Sequence, residues 1–168
     1  MKLEFEKKIN LDVPATKAWD ILWQNYENVG QWATIIPEST ARKENGKTKG
    51  RVCTSSYGNV KEWVTHQDSK NMNFSYEADG LPSMFKYGKN NWKIASISEN
   101  RSTVTMQLSM KMTKIHGFLL GWMIKNKMNK DLENLMEDLK HFAETDNIHP
   151  RKMKSLQKWN RRRLKKSD

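Results

Sequence analysis

The sequence predicts an α+β fold, in which a curved antiparallel sheet of about seven strands wraps around one long C-terminal helix. Two observations carry this prediction. Apolar and polar residues alternate along several short segments in the first two thirds of the chain, as they do in half-buried strands. After Gly117 the period changes, and apolar residues recur every three or four positions, as on one face of a helix. Short connections between the strand segments favour an antiparallel meander.

The chain is predicted to open with one strand and two short helices. From Leu3 to Leu11 apolar side chains alternate with polar ones, which indicates a strand with one buried face. Pro14 suits the first turn of a helix, and a second short helix is expected at 27–32. The apolar residues that follow Pro14 at helical spacing are Ala15, Ala18, Trp19, Leu22 and Trp23.

Turn signals divide the middle of the chain into the remaining predicted strands. Asn45-Gly46 and Gly58-Asn59 each stand between two segments of alternating residues, as the turns of hairpins do. The clearest strand is predicted at 103–113, where every second residue is apolar. The residues expected on its inner face are Val104, Met106, Leu108, Met110 and Met112.

The last predicted element of the body is an amphipathic helix over 118–144. An antiparallel sheet with one apolar face needs a cover for that face, and only this helix is long enough to supply it. A curved sheet does not close fully around a single helix at both ends. An apolar pocket is therefore expected between the two.

Charge separates a predicted ligand-binding domain over 1–146 from a basic tail over 147–168. The chain carries 30 Lys and Arg residues against 19 Asp and Glu residues, a formal net charge of +11. The stretch 148–168 holds nine of these basic residues and a single acid, whereas the rest of the chain is nearly balanced. The two parts therefore need separate interpretations.

Three interpretations of the tail remain open from the sequence. It is a solvated segment, or a helix that binds an anionic membrane surface through residues 151–166, or a contact for the phosphates of nucleic acid through the same residues. Met153, Leu156 and Trp159 lie loosely on one side of a helix drawn through 150–166. Trp159 among basic residues is compatible with either partner.

The first segments of the chain carry a family pattern. Segment 10–22 runs as the end of an apolar strand followed by x-Pro-Ala-x-x-x-Trp-x-x-Leu, with Pro14, Ala15, Trp19 and Leu22 at the fixed positions. An aromatic residue and a Trp…Pro pair then precede the second strand. These residues are Tyr26, Trp32 and Pro37.

The closing helix carries a second pattern, similar to Leu-x-x-Leu-Lys-x-Phe-Ala-Glu. The residues that carry it are Leu135, Met136, Leu139, Lys140, Phe142, Ala143 and Glu144. With the element order, these segments resemble the START-like (SRPBCC) superfamily, and most of all its polyketide cyclase/dehydrase and lipid-transport branch. The resemblance covers about residues 3–145 and implies a helix-grip fold with a deep cavity for lipids, isoprenoids, polyketides or similar molecules. It implies no shared catalytic residues.

Aromatic and methionine residues on the inner faces are the predicted pocket lining, because they combine an adaptable apolar body with occasional polar groups. Trp63 is a weaker candidate, since its parity is opposite to that of Val64. Arg51 and Tyr57 are predicted polar anchors at the pocket mouth. The predicted ligand-binding residues are Phe74, Tyr76, Trp92, Met106, Met110, Trp122 and Met136, with Trp63 added.

The sequence carries no signature of a known catalytic or metal site. The four histidines lack metal-ligand spacing, Cys53 is the single cysteine, and there is no Gly-rich phosphate loop or Gly-x-Ser-x-Gly motif. We therefore predict no metal and no cofactor, and we assign no catalytic residue. Residues 1–12 do not resemble a signal peptide, and a cytoplasmic location is expected.

Three functions remain open. The first is binding, and with it transport, of a hydrophobic small molecule or lipid in an internal cavity. The second is an enzyme of cyclase, dehydratase or aromatase type, in which Tyr76 is the best candidate for moving a proton. The third is an adaptor that contacts nucleic acid or an anionic membrane through its basic tail. The sequence leaves the oligomeric state open.

Overall fold

The computed structural model describes residues 1–45, 47–55 and 58–167, with side chains over 1–45, 49–55, 58–114 and 118–165. Its strands form one antiparallel sheet in the order β1-β7-β6-β5-β4-β3-β2. The sheet is a meander in which the last strand returns to pair with the first. The strands are β1 (Lys2–Leu11), β2 (Glu38–Glu44), β3 (Lys47–Ser55), β4 (Gly58–Asp68), β5 (Asn73–Asp79), β6 (Phe85–Ser98) and β7 (Arg101–Met112).

The segment between β1 and β2 is helical, as the sequence predicted, but it is more broken. Helix α1 (Ala15–Trp19) continues directly into a π-helical turn, Asp20–Gln24. A 3-10 turn, Tyr26–Asn28, then leads into α2 (Val29–Trp32). This segment packs its apolar side chains across one end of the sheet, where it becomes one wall of the interior.

Helix α3 (Lys114–Thr145) covers the concave face of the sheet, which confirms the predicted α+β architecture. It begins at Lys114, four residues before the predicted start at 118. This additional turn lies ahead of the apolar repeat on which the prediction was based. Lys7 Nζ lies 2.8 Å from Glu133 Oε1, and Lys140 Nζ donates to the backbone oxygen of Asn10 at 3.0 Å. These contacts hold the helix against β1.

Helix α4 (Pro150–Ser167) accounts for most of the basic tail, and its first half is docked on the body. Lys152 is fully buried, and its Nζ donates to the backbone oxygens of Ala33 at 3.1 Å and Ile36 at 2.7 Å. Arg151 binds the buried carboxylate of Asp138, with 3.0 Å between Nη2 and Oδ1. The interpretation of a solvated tail is therefore wrong for this half, because the carbonyl groups after α2 supply acceptors for a buried lysine.

Asp138 connects the docked helix to the wall of the interior. Its Oδ2 accepts a hydrogen bond of 2.7 Å from the backbone nitrogen of Thr34, while its other oxygen binds Arg151. Ser155 adds a hydrogen bond of 3.2 Å to the backbone oxygen of Thr34. The segment 33–36 is thus fixed from two helices at once. In the described part of the chain, no helix combines the length and hydrophobicity that a bilayer crossing requires.

Replacing Lys152 by methionine is expected to lower the free energy of unfolding by about 1–3 kcal/mol, because it removes the Lys152 donor from two buried carbonyl oxygens, and only that of Ala33 keeps a second donor, the backbone nitrogen of Ile36 at 3.2 Å. Trypsin is expected to cut at Arg151 sooner in this variant. Lys154→Met, on the exposed face of α4, is the matched control and is expected to leave both properties unchanged. Equal behaviour of the two variants would show that Lys152 does not hold α4.

The difference in stability between the natural chain and Lys152→Met is expected to depend on pH. Burial lowers the pKa of Lys152 from 10.5 to about 8, although the nearby Asp138 carboxylate acts in the opposite direction. Between these values the unfolded chain binds more protons than the folded one, so the stability contributed by Lys152 rises with pH. The deficit of Lys152→Met relative to the natural chain is therefore expected to widen from pH 8 towards pH 10.5 in chemical denaturation.

Candidate ligand-binding cavity

A cavity of about 150 Å³ lies between the concave face of the sheet, α3 and the helical segment that follows β1. Most of its lining is apolar. Its rim includes Lys89 of β6 and Asp131 of α3, both of which remain accessible to solvent. The apolar lining residues are Ile21, Leu22, Val29, Trp32, Ile35, Ile36, Val60, Phe74, Ala78, Leu81, Phe85, Trp92, Leu108, Met110, Met128, Leu132 and Leu135.

Phe74 is the centre of an aromatic cluster, of which Phe74, Tyr76 and Trp92 line the cavity. It is 1% exposed and lies 5.2 Å from Trp23, 6.5 Å from Trp92 and 5.8 Å from Tyr26, measured between ring centroids. The ring of Trp92 is stacked on Phe74, whereas the ring of Tyr26 meets it edge to face. Such geometries suit aromatic quadrupoles, and they make this wall rigid.

A buried polar cluster interrupts the apolar lining. Arg51 and Glu62 stand opposite each other across the β3–β4 pair, and Arg51 Nε lies 2.5 Å from Glu62 Oε2. Arg51 Nη1 also donates to the backbone oxygen of Tyr26 at 2.7 Å, and the Tyr26 hydroxyl donates to Glu62 Oε2 at 3.0 Å. The guanidinium lies over the Tyr26 ring at 4.0 Å. Charge, hydrogen bonds and a cation–π contact thus hold one arginine in place.

The sequence around Arg51 allows this close pairing. Gly50 precedes it, and a Cβ atom at this position would lie 1.9 Å from the backbone oxygen of Glu62. Any other residue at position 50 would push the two strands apart. The glycine therefore lets β3 approach β4 closely where the buried ion pair forms.

The cluster keeps its tyrosines protonated and its arginine charged. Burial and the Glu62 carboxylate raise the pKa of Tyr26 and of Tyr76, while Arg51 acts against both. Burial alone would lower the pKa of Arg51, but Glu62 outweighs it and the pKa is raised. Burial also raises the pKa of the Cys53 thiol to about 12, against the effect of Arg51. These hydroxyl and thiol groups are therefore neutral at physiological pH.

Asn90 completes the polar side of the cavity and carries an unused hydrogen-bonding atom. Its Nδ2 donates to the Tyr76 hydroxyl at 2.9 Å. Its Oδ1 is buried and has no hydrogen-bond partner among the described residues. Buried polar atoms in folded proteins are almost always paired. A cavity molecule with a donor group would satisfy this oxygen.

Several predicted pocket residues line the cavity. Phe74, Tyr76, Trp92 and Met110 are part of its wall, as is Arg51. Arg51 lies in the buried cluster rather than at the mouth, because its partner Glu62 is itself buried. Tyr57, the other predicted anchor, lies outside the described residues. Whether these residues bind a ligand stays a prediction.

Four other predicted residues lie outside the lining found in the described chain, and their predicted placement is corrected. Met106 and Met136 are buried in the hydrophobic core and do not line the cavity. Trp122 is 72% exposed, because its turn of α3 points into solvent. Trp63 lies on the outer face, where its Nε1 donates to Asp79 Oδ2 at 3.0 Å and Arg42 covers its ring.

Sequence reasoning missed Glu62 and Asn90. Glu62 is not among the predicted site residues, yet it is buried and pairs with Arg51. A signal for it exists, since Glu62 shares its strand parity with the apolar Val60 and Val64. For Asn90 we find no comparable signal, because it lies in a polar stretch of β6 with Lys89 and Asn91 on either side.

Comparison with known proteins gives one family and many solved structures of the same fold. The model of the family described as polyketide cyclase / dehydrase and lipid transport matches residues 2–144. The search of curated proteins found no match.

The structural neighbours show the fold alone, because their sequence identity is low. A START superfamily protein from Mycobacterium smegmatis is 14% identical, with a TM-score of 0.69 over 83% of this chain and 96% of its own. The protein XoxI from Bacillus cereus is 13% identical, with a TM-score of 0.68 over 83% and 94%. A norcoclaurine synthase from Thalictrum, in complex with a transition-state analogue, is 8% identical, with a TM-score of 0.66 over 85% and 94%.

Proposed function

The chain belongs to the polyketide cyclase/dehydrase and lipid-transport family, and on that basis we propose that it binds a slender apolar molecule with one polar, hydrogen-bond-donating end. The observation that carries the proposal is the unpartnered Asn90 Oδ1 in the wall of an otherwise mostly apolar cavity. The apolar part of the ligand contacts the aromatic wall around Phe74. The polar end donates to Asn90.

The volume of the cavity limits the size of this ligand. Drug-sized molecules occupy sites of roughly 300–1,000 Å³, whereas a cavity of about 150 Å³ holds a molecule the size of benzene. A benzene-sized ligand therefore fits entirely inside. A longer lipid or isoprenoid chain places only one end there, and its remainder leaves past the rim at Lys89 and Asp131.

Benzyl alcohol and toluene test the proposal, because they differ by the one donor that Asn90 would accept. The natural chain is expected to bind benzyl alcohol roughly 5–10-fold more tightly than toluene, which corresponds to one net hydrogen bond. Asn90→Leu is expected to remove or reverse this preference. Calorimetric titration measures both affinities, and their ratio within each variant does not depend on the variant's stability.

Two matched substitutions separate cavity binding from surface binding. Leu108→Trp places an indole in the cavity wall and is expected to abolish binding of both probes. Ile97→Trp, at an exposed position of β6, is expected to leave binding unchanged. Absence of binding by the natural chain, or equal binding by Leu108→Trp, would contradict the proposal.

An enzyme of cyclase or dehydratase type is the second candidate. The observation in its favour is the neutral Tyr76 hydroxyl in the cavity wall beside the charged Arg51, since a buried phenol next to a fixed cation is able to polarise a carbonyl group. Molecules extracted from the protein after isolation from its host distinguish the two candidates. Recovery of one unchanged compound supports binding. Conversion of that compound by the natural chain, lost in Tyr76→Phe, supports the enzyme.

A further inference from the structure

The first half of α3 presents a run of large apolar side chains to solvent. Phe118 is 89% exposed and Trp122 is almost as accessible. Leu119, Leu120 and Met123 are exposed beside them. A contiguous apolar patch of this kind on a folded protein marks a binding surface, because water solvates it poorly.

The width of this patch indicates what covers it. At about 100° per residue, the exposed residues between 118 and 123 span an arc of roughly 200° around the helix. The remaining side faces the body, where Gly121 is buried beneath Met1. A helix that packs on one partner typically uses a narrower stripe, of about 100°. Here the whole solvent-facing side of the helix is apolar between residues 118 and 123. This favours insertion into a continuous apolar medium.

The charged residues within the stretch of α3 that carries the patch are all lysines. Between residues 114 and 130 the chain has no Asp or Glu. Lys114, Lys125 and Lys130 are exposed in this stretch, whereas Lys127 pairs with Asp131, with 2.6 Å between Nζ and Oδ2. Lysines that flank exposed tryptophan and phenylalanine residues are the pattern of a helix at a membrane interface, where they face anionic headgroups.

The patch lies close to the cavity rim. Met128 and Asp131 line the cavity and follow Met123 by five and eight residues, which is about 8–12 Å along the helix axis. Interfacial helices bury their apolar face roughly 5–10 Å into the headgroup boundary. A helix docked through this patch would bring the rim to the surface of the bilayer.

We propose that the first half of α3 docks the domain on an anionic lipid bilayer by inserting Phe118 and Trp122 between the headgroups while the flanking lysines contact anionic lipids. The rim of the cavity then faces the bilayer, so that an apolar ligand passes between membrane and cavity without crossing water. This last step rests on the proposed binding function. The docking itself does not.

Co-sedimentation of the natural chain with vesicles tests the docking. Binding is expected to vesicles of phosphatidylcholine containing phosphatidylserine, and much weaker binding to phosphatidylcholine alone. The double variant Phe118→Ser/Trp122→Ser is expected to bind the anionic vesicles roughly 100-fold less tightly, since it removes the two aromatic side chains that insertion would bury in the bilayer. Absence of vesicle binding by the natural chain, or unchanged binding by the variant, would overturn the proposal.

A second double variant tests the basic tail as the source of binding. Met153→Ser/Leu164→Ser changes two exposed apolar residues of α4 and is expected to bind vesicles as the natural chain does. Loss of vesicle binding in this tail variant, with binding kept in the α3 variant, would assign the contact to the tail and refute the role of α3. The remaining alternative is that a second copy of the chain covers the patch, which sedimentation velocity tests. A natural chain that is dimeric and does not bind vesicles, together with a monomeric Phe118→Ser/Trp122→Ser variant, would show this.

The two proposals fail separately. Vesicle binding is measured without a cavity ligand, and benzyl alcohol binding is measured without vesicles. Leu108→Trp is expected to lose only the small-molecule probe, whereas the Phe118→Ser/Trp122→Ser variant is expected to lose only the vesicles. Loss of both activities in either variant would mean that the substitution disrupts the fold, which circular dichroism and the melting temperature reveal.

Discussion

Replacing Glu62 by leucine is expected to lower the free energy of unfolding by about 3–5 kcal/mol, because the substitution leaves the Arg51 guanidinium buried without a countercharge. The guanidinium is buried at this position, where Tyr26 covers its face and the Tyr26 backbone oxygen accepts from its Nη1. The Tyr26 hydroxyl loses its acceptor in the same step. Urea denaturation of the two chains measures the difference.

The double variant Arg51→Met/Glu62→Leu separates charge from packing. It removes both ions and retains much of the apolar volume, so it is expected to recover most of the stability that Glu62→Leu loses. Glu4→Leu is the surface control. The Glu4 carboxylate pairs with Lys2, and both side chains are 65% exposed. Removal of this ion pair is expected to change the free energy of unfolding by less than about 1 kcal/mol. If the double variant is no more stable than Glu62→Leu, the stability lost in Glu62→Leu does not come from the unpaired charge of Arg51.

The ion pair also shows where sequence reasoning stops. The alternation of apolar and polar residues predicts which strand face a residue occupies, and it places Arg51 with Cys53 and Glu62 with Val60. It does not give the register between two strands. That Arg51 stands opposite Glu62 follows from the β3–β4 pairing and from the space that Gly50 leaves, and both are tertiary facts.

The fold could be predicted from the sequence, because its strands and its long helix have clear apolar periodicity. Every second residue of β7 from Val104 to Met112 was predicted to face inward, and in the structure four of these five are buried while Leu108 lines the cavity. The docking of α4 was not predictable in this way. Lysine is almost never fully buried, and the carbonyl groups that bind Lys152 come from a segment more than a hundred residues earlier in the chain.

The placement of Trp122 was missed for a geometric reason. Helical periodicity assigns a residue to a face of the helix, but it does not say how far the sheet extends beneath that face. Met128 and Leu132 lie over the sheet and are buried, whereas the turns of α3 around Trp122 present their apolar side chains to solvent. Trp122 was predicted to line the pocket and is exposed instead. Its exposure points to the patch that we propose as a membrane contact.

Replacing Phe74 by alanine is expected to have a similarly large effect on stability and a distinct effect on ligand binding. Truncating a buried phenylalanine typically costs about 3–5 kcal/mol, and Phe74 also contacts the rings of Trp19, Trp23, Tyr26, Tyr76 and Trp92. Because the residue lines the cavity, the space it leaves adds to the cavity volume. Thermal denaturation measures the loss of stability.

Toluene then tests whether that space is continuous with the cavity. A ligand that binds only the folded state at 100 times its dissociation constant stabilises that state by about 2.7 kcal/mol, so saturating toluene is expected to restore a large part of the stability that Phe74→Ala loses. Phe142→Ala is the control, since Phe142 of α3 packs against the hydrophobic core without lining the cavity. It is expected to lose stability and to gain no more from toluene than the natural chain does. Equal rescue of the two variants would mean that toluene fills any new void in this core, and that the wall around Phe74 has no particular part in accepting a ligand.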